Sequence, residues 1–300
     1  MITGPTATGK TALGVRLAKI IDGEIVSADS MQVYKHMDIG TAKPASTEMQ
    51  GIRHHMVDCV SPLESYSAAR YVKDASKCID DILRRKKQPI IVGGTGLYID
   101  SLLAGHGFSP IGDSALRQNL EAEYDDIGGE AMLQKLQAAD ADSAAVLHEN
   151  DKKRIVRALE IYLSTGKTIS HHNAESRLLP PRYDAKKIAL TFADRARLYA
   201  GIDDRVDKML ASGLEAEVKA LLCMGVERGS TAMQAIGYKE IASAIVDKTD
   251  MALAIEKVKM ESRRFAKRQL TWLRRDDSLK WIIWEDSPDL DSAAANILTQ

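Results

Sequence analysis

Residues 4–11 read GPTATGKT and fit G-x-x-x-x-G-K-[ST], the pattern of a phosphate-binding loop. In such a loop the glycines allow a tight turn, backbone N–H groups surround the phosphates, Lys10 supplies a charge and Thr11 is a residue type that binds Mg²⁺. The helix predicted to follow would direct its positive end at the anion. Loops of this kind usually bind ATP or GTP. The pattern therefore predicts phosphate binding, but it does not identify the ligand that carries the phosphate.

Two further polar positions follow predicted strands. Asp29 ends the strand EIVSA, and ligands of open α/β sheets bind outside the carboxyl ends of the strands. Asp29 is therefore a general base or magnesium partner, or else a turn cap of the kind Asp-Ser often forms, and its spacing favours neither. Thr95 lies in GGTG after the strand PIIV, where glycines allow close approach of a substrate but serve a turn equally well.

A kinase or NTPase would usually carry a second magnesium group, an acidic residue at the end of an apolar run. The apolar run at residues 90–92 ends in glycines instead, and Asp58 follows a run interrupted by His54 and His55. Because no carboxylate or third histidine joins these two at ligand spacing, we expect them to be structural. The ATPase hypothesis is weakened and stays open.

Basic residues are concentrated in two predicted helices, DKKRIVRALE and ESRRFAKRQLTWLRR. Such runs are most often solvated helix faces. Arginines beside aromatic side chains also suit a nucleic-acid strand, since guanidinium groups contact phosphate and flat groups stack on bases. The residues concerned are Lys153, Arg154 and Arg157 in the first helix, and Arg264, Phe265, Arg268, Gln269 and Trp272 in the second.

Composition sets the remaining limits. The net charge of the 300 residues is −1, so any nucleic-acid surface must be a local patch. Cys59, Cys78 and Cys223 show no CxxC or Cys/His spacing, which predicts a reducing compartment and no zinc. No apolar stretch approaches the roughly 18 residues of a membrane span and no signal peptide is evident, so we expect a cytoplasmic protein.

Strand and helix patterns alternate over the first hundred residues, which predicts βαβ units and a parallel sheet. Residues 112–182 show helical periodicity without a clear strand, and we expect three helices there. The predicted fold class is α/β. It comprises a P-loop NTPase-like core with a parallel sheet, formed by residues 1–111 and 183–300, and an inserted all-helical domain at 112–182.

Eight motifs, spread over roughly residues 2–276, occur in the order seen in one family: GPTATGKT, DSMQVY, DIGTAKP, GIRHHMVD, GGTGLYI, RALEIYLSTGK, AMQAIGYKE and KRQLTWLRRD. In them the chain resembles the tRNA dimethylallyltransferases, the bacterial tRNA isopentenyltransferases. The resemblance implies transfer of a dimethylallyl group from dimethylallyl diphosphate to N6 of adenine 37 in tRNAs that read codons starting with U. The phosphate in the loop would then be the diphosphate leaving group, no ATP would be consumed, and the partner would be the tRNA anticodon stem-loop, bound by a monomer.

The resemblance also implies roles for individual residues. Asp29 would be the general base, assisted by Lys10 and Thr95, and Mg²⁺ would bind at Thr11. Diphosphate would be bound by Gly4, Pro5, Thr6, Ala7, Thr8, Gly9, Lys10, Thr11 and Arg205. Contacts to tRNA would come from Asp29, Ser30, Met31, Gln32, Thr95, Arg117, Lys153, Arg154, Ile155, Val156, Arg157, Gln234, Ala235, Ile236, Gly237, Tyr238 and Lys239.

The chain departs from the family pattern at two positions, since relatives often carry arginine where Gly201 stands and glutamine in place of Lys153. Three alternatives stay open at this point. One is an adenylate isopentenyltransferase, which shares fold and donor but accepts free adenine nucleotides. The others are a small-molecule P-loop kinase and a non-catalytic RNA-binding protein. The two basic helices favour a polynucleotide acceptor over a free nucleotide.

Overall fold

The computed structural model describes residues 1–105, 114–178 and 180–299. Its contacts divide the chain into two compact units. The core unit comprises Met1–Leu103 and Asp184–Gln300, and the helical unit comprises Ala104–Tyr183. The boundary expected at residue 112 lies outside the described residues, whereas the expected end of the insertion, at 182, lies next to the end of the helical unit.

The described residues of the core unit form one parallel sheet of six strands in the order β3-β2-β4-β1-β5-β6, which confirms the predicted α/β class. The central strand β1 has two residues, and its Ile2 pairs with Val92 on one side and Ile188 on the other. The phosphate-binding loop therefore starts at the middle of the sheet. The strands are Ile2–Thr3 (β1), Gly23–Ala28 (β2), His54–His55 (β3), Gln88–Gly93 (β4), Ile188–Phe192 (β5) and Lys280–Trp284 (β6).

Fourteen α-helices occur within the described ranges. No helix there combines the length and apolar character that crossing a membrane requires. The helices are Lys10–Ile20 (α1), Ser46–Met49 (α2), Ala68–Arg84 (α3), Gly96–Ala104 (α4), Ser114–Ile127 (α5), Gly129–Ala139 (α6), Ala141–Ala144 (α7), Lys152–Thr165 (α8), Ile169–Arg177 (α9), Arg195–Ala211 (α10), Leu214–Cys223 (α11), Tyr238–Asp247 (α12), Met251–Leu273 (α13) and Leu290–Thr299 (α14).

Helix α1 connects the phosphate loop to the hydrophobic core. Gly9 immediately before it has φ 82°, a left-handed conformation that glycine adopts without steric cost. Leu13 and Leu17 on its buried face join one hydrophobic cluster with Ile25 and Val92 of the sheet. Burial of these side chains fixes the position of the helix, and with it the N–H groups at its start.

The helical unit contains α5–α9, where the sequence predicted three helices. The segment predicted as a single second helix breaks at Asp140, whose carboxylate accepts hydrogen bonds from Ser143 N (3.1 Å) and Ser143 Oγ (2.7 Å) and so begins α7. Helix α9, which was not predicted, begins after Thr168, whose side chain accepts a hydrogen bond from His171 N. The unit has its own core, formed in part by Leu120, Met132 and Leu159.

Candidate active site

A cavity of about 940 Å³ lies in the core unit. The phosphate loop, the segment after β2 and the turn after β4 all contribute to its wall, so segments that are far apart in sequence meet around one space. The predicted site residues in this wall are Thr6, Ala7, Thr8, Gly9, Lys10, Thr11, Asp29, Ser30, Met31, Gln32, Thr95, Arg205, Gln234, Ala235, Ile236 and Gly237.

The phosphate loop is held in shape by its own contacts. The carbonyl oxygen of Pro5 accepts hydrogen bonds from Thr8 Oγ1 (2.8 Å) and from Lys10 Nζ (2.6 Å). Trp284 of β6 donates its indole N–H to Thr8 O at 3.1 Å. Because the first N–H groups of a helix have no partner within that helix, the start of α1 in this wall offers donors to an anion.

Gln269 of α13 links the phosphate loop to the glycine turn after β4. Its Oε1 accepts a hydrogen bond from Thr6 N (3.2 Å), and its Nε2 donates to Gly94 O (2.9 Å). The amide lies so close to Gly94 that a side chain at position 94 would overlap it, which explains the glycine. The sequence placed Gln269 on a face suited to RNA. The structure buries it between two loops, where it positions both.

The position of Asp29 is compatible with both interpretations that the sequence left open. Its Oδ1 accepts hydrogen bonds from Met31 N (2.8 Å) and Gln32 N (3.2 Å), so one oxygen does cap a turn. The same carboxylate lies in the cavity wall. Since both backbone bonds use Oδ1, Oδ2 is the atom that can accept a proton from a substrate.

Thr95 and Gln32 position neighbouring segments of the wall. Thr95 Oγ1 accepts a hydrogen bond from Ser30 N at 3.1 Å, which connects the GGTG turn to the Asp29 segment. The Gln32 side chain accepts from Ser27 Oγ (3.2 Å) and donates to Thr41 O (3.2 Å) and to the carbonyl of residue 42 (3.3 Å). Its amide therefore supports the loop 38–44.

Two cations lie beside the Asp29 carboxylate. The pKa of Lys10 is lowered to about 7, chiefly by burial and also by the charge of Arg205, while the charge of Asp29 acts in the opposite direction. Burial also lowers the pKa of Arg205, opposed by the charges of Asp29 and Glu48. An anion entering this space would stabilise the charged forms of both side chains.

Gly201 lies one helical turn before Arg205, near the methyl group of Ala7, so a longer side chain there would point at the phosphate loop.

Glu217 of α11 holds another part of the wall in place, and no sequence pattern predicted this role. Its Oε2 accepts hydrogen bonds from the N–H groups of Asp38 (2.8 Å) and Ile39 (2.9 Å). Its Oε1 accepts from Gly40 N (3.1 Å) and from the Tyr238 hydroxyl (2.5 Å). Tyr238 is completely buried in this arrangement, so its side chain offers no surface to tRNA, in contrast to its predicted role.

The residues predicted to bind tRNA from the helical unit fall into two groups. Lys153 and Arg154 are exposed on α8. Ile155 and Val156 were predicted to contact tRNA, but both are buried in the core of the unit, so their side chains are not accessible to RNA. The guanidinium groups of Arg117 and Arg157 both donate hydrogen bonds to the carboxylate of Glu160.

The second basic helix, α13, turns part of its polar face towards the cavity. Arg268 lies 5.7 Å from the centre of the Phe265 ring, and both side chains line the cavity. Arg264 pairs with Glu261, and the indole of Trp272 packs against Gly96 and donates its N–H to Asp100. Of the remaining predicted residues, Gln234 and Lys239 are exposed.

The protein side chains around the cavity could bind a magnesium ion only together with oxygen atoms of a substrate. Groups of three or more His, Cys, Asp or Glu side chains able to hold a metal are absent from the described residues. Asp58 pairs with Lys43. The hydroxyl of Thr11 and the carboxylate of Asp29 lie in the cavity wall, and Mg²⁺ is commonly bound by one or two protein groups together with substrate phosphates.

Known proteins resemble the chain over nearly its whole length. The sequence model of the IPP transferase family matches residues 32–276. The tRNA dimethylallyltransferase of Thermoanaerobacter sp. (strain X514) is 45% identical over 300 residues, which cover 99% of this chain and 95% of the relative. The tRNA dimethylallyltransferase of Carboxydothermus hydrogenoformans is 49% identical over 282 residues, covering 94% of this chain and 90% of the relative.

A solved structure extends the likeness to the fold. A eukaryotic dimethylallyltransferase acting on tRNA superposes with a TM-score of 0.83 at 30% identity, covering 98% of this chain and 76% of that chain. Such identity over almost the full length, together with the family match, is far beyond what a shared phosphate loop produces. The chain belongs to the IPP transferase family.

Proposed function

We propose that this protein transfers a dimethylallyl group from dimethylallyl diphosphate to N6 of adenine 37 in the anticodon loop of tRNAs that read codons starting with U. The observation that carries the proposal is a single cavity wall that joins a phosphate loop, with Lys10 and Arg205, to the Asp29 carboxylate. The tRNA dimethylallyltransferases to which the chain is similar support the same assignment.

In the proposed reaction the allylic C–O bond of the donor breaks and negative charge develops on diphosphate. The N–H groups at the start of α1, the Lys10 ammonium and the Arg205 guanidinium are positioned to stabilise that charge. A magnesium ion held by Thr11 and the diphosphate oxygens would supply further positive charge there. Displacement of water by the bound substrates would strengthen each of these interactions.

The acceptor nitrogen of adenine is a weak nucleophile because its lone pair is delocalised into the ring. As the new N–C bond forms, the N6 proton must leave, and Asp29 Oδ2 would accept it. The hydrogen bonds from Met31 N and Gln32 N hold the carboxylate in one orientation while it does so. Thr95, bonded to the same segment, would keep the adenine side of the wall in place.

The helical unit would serve as a tRNA-contacting domain, with Lys153 and Arg154 on its surface as candidate phosphate contacts. In the core unit, Arg268 over the Phe265 ring offers a flat cationic surface at the cavity. Entry of adenine 37 costs little, because a base in an anticodon loop is already single-stranded. A single chain holds all of these groups, so we propose that the protein acts as a monomer.

Mass analysis of nucleosides tests the proposal. The protein is incubated with dimethylallyl diphosphate, Mg²⁺ and an anticodon stem-loop RNA, and a copy of that RNA carrying guanine at position 37 is the matched control. We expect N6-dimethylallyladenosine only from the adenine-37 RNA, and a loss of rate when EDTA is added. Prenylation of AMP without RNA modification, or ATP turnover with no use of the isoprenoid donor, would contradict it.

A further inference from the structure

Glu217 of α11 holds a loop that lies far from it in sequence. Its carboxylate accepts hydrogen bonds from three successive backbone N–H groups, those of residues 38–40, and from the Tyr238 hydroxyl. Three successive N–H groups around one anion form a concave anion-binding arrangement of the backbone, here occupied by a side chain of the same protein. Without that anion the three donors would need other partners, so the conformation of residues 38–40 depends on Glu217.

The same loop has a tightly constrained backbone. Gly40 lies so close to the Tyr238 ring that a Cβ atom added to it would be 2.4 Å from the ring atom Cε2, which explains the glycine. Ala42 has a φ angle of 44°, a left-handed conformation that an alanine keeps only where its surroundings enforce it. Residues 38–42 all line the cavity, so this constrained loop belongs to the site itself.

Hydrogen bonds continue from this loop to the carboxylate of Asp29. The Gln32 side-chain amide donates to the carbonyl groups of Thr41 (3.2 Å) and Ala42 (3.3 Å). The Gln32 backbone N–H donates to Asp29 Oδ1 (3.2 Å). A displacement of residues 38–40 would therefore move the carbonyl groups that hold Gln32, and with Gln32 one of the two donors that orient Asp29.

The phosphate loop is held by other side chains. Trp284 donates to Thr8 O, and Gln269 accepts from Thr6 N. Neither contact involves the loop 38–42. A disturbance of that loop should therefore affect the proposed base and leave the diphosphate site in place.

We propose that Glu217 is a positioning residue of prenyl transfer, which keeps Asp29 aligned with the acceptor nitrogen by holding the loop 38–42 against Gln32. This inference rests on the proposed function. Glu217 acts through the loop and touches neither the donor nor the adenine, because both of its carboxylate oxygens are engaged. Its effect on rate can still be large, since misplacing a reacting group by about 1 Å can cost about 10²-fold.

The rate of a single turnover tests the proposal. Glu217→Gln keeps the size of the side chain but replaces one acceptor oxygen by an NH₂ group, which would face backbone donors. With saturating donor and stem-loop RNA, we expect the rate per active site to fall about 10–100-fold, and the Kd of dimethylallyl diphosphate to stay within about twofold. The matched control is Glu215→Gln, two residues earlier on α11, where the carboxylate pairs with Lys219 at the surface. The control should keep its rate within about twofold.

Counting active sites separates positioning from folding. A role limited to stability would lower the thermal midpoint and the number of sites that bind donor in calorimetry, but it would leave the rate per site unchanged. Glu217→Asp is the second variant. It keeps the charge, but its shorter side chain cannot reach all four donors, so we expect a loss of about tenfold in the rate per site. If Glu217→Gln does not fold, Glu217→Asp takes its place.

A double-mutant cycle tests whether Glu217 acts through Gln32. Gln32→Ala alone should also slow prenylation, because it removes the bonds to Thr41 O and Ala42 O. If the two residues act in series, the double variant should be at most about twofold slower than the slower single variant. Independent effects would instead multiply.

The inference is overturned if a folded Glu217 variant turns over as the unaltered protein does, if the donor Kd rises as far as the rate falls, or if the two effects multiply. Each of these results would leave the proposed function intact, because the unaltered protein would still prenylate the stem-loop. Failure of the unaltered protein to prenylate the RNA would instead refute the proposed function itself.

Discussion

The cavity of the core unit and the basic surface of the helical unit hold their polar groups by different means. In the cavity, loops far apart in sequence are tied through backbone atoms, as where Gln269 bonds Thr6 N and Gly94 O. On the helical unit, Lys153 and Arg154 are simply exposed, and Arg117 is held by a single carboxylate. Breaking bonds requires reacting atoms fixed within fractions of an ångström, whereas attraction of an RNA backbone tolerates mobile charges.

The carboxylates of Asp29 and Glu160 show the same difference between the cavity of the core unit and the helical unit. Asp29 uses one oxygen for backbone N–H groups and lies in the cavity wall, where the other oxygen can act on a substrate. Glu160 is buried and directs its hydrogen bonds to arginine side chains. The contrast predicts that changes in the cavity alter turnover, and that changes on the helical unit alter affinity for RNA and its dependence on salt.

The largest effect is expected at Asp29. Asp29→Asn keeps an oxygen for the N–H groups of Met31 and Gln32 but cannot accept the substrate proton, so single-turnover prenylation should fall by about 10²–10⁴-fold. Binding of tRNA, measured by filter retention, should stay within a few-fold. Asp29→Ala should lose similar activity. A fully active Asp29→Asn would mean that the carboxylate only caps its turn.

The next largest effect concerns Lys10. Lys10→Met should weaken binding of dimethylallyl diphosphate by about 10–100-fold, since it removes a charged hydrogen bond to the donor. Because the pKa of Lys10 is about 7, the affinity of the unaltered protein for dimethylallyl diphosphate should depend on pH. Diphosphate favours the protonated amine, so affinity should be constant below pH 7 and fall by up to about tenfold per pH unit above it.

Titration calorimetry at pH 8 measures directly how binding of dimethylallyl diphosphate is coupled to protonation of Lys10. In buffers of different ionisation enthalpy, the unaltered protein should take up a fraction of a proton on binding the donor, and Lys10→Met should take up less. Equal proton uptake by the two proteins would show that Lys10 is already charged in the free cavity.

A smaller effect is expected from the amide that joins the two loops. Gln269→Ala leaves Thr6 N and Gly94 O without their partner, which should cost about 1–3 kcal/mol in the free energy of unfolding. Urea unfolding measures this, and Lys267→Ala, on an exposed position two residues away, is the control. The donor KM should also rise, because the phosphate loop loses its support. If Gln269→Ala changed the free energy of unfolding no more than Lys267→Ala does, the supporting role of Gln269 at the two loops would be refuted.

The architecture could be predicted from sequence only where elements are long enough to show a period. The alternating strand and helix patterns of the first hundred residues gave the parallel sheet. Strands β1 and β3 have two residues each, too few for any periodicity, and exist because longer neighbours pair with them. The break before α7 follows from the capping side chain of Asp140 in a segment that is otherwise apolar enough to continue.

The same limit applies to the candidate site. The phosphate loop is a local pattern, so it could be identified from a few neighbouring residues. The residues around Asp29 left its role open, and only the resemblance to the family gave it one. Gln269 and Glu217 act across separations of 175 and 177 residues, and neither residue differs locally from any polar position on a helix. Tyr238 and Ile155 show the reverse error, since a motif that includes them does not reveal which side chains face inward.

The smallest effect, and the sharpest test of the contrast between the two regions, is expected at Arg154. Arg154→Ala should weaken tRNA binding less than tenfold and reduce the slope of log affinity against log salt by about 1, the value for one phosphate contact. Turnover of saturating tRNA should be unchanged. Lys135→Ala is the control, because Lys135 is a cation of the same unit that is paired with Glu123. A fall in turnover at constant salt slope would place Arg154 with the reacting groups, and the separation of chemistry from RNA attraction would then be wrong.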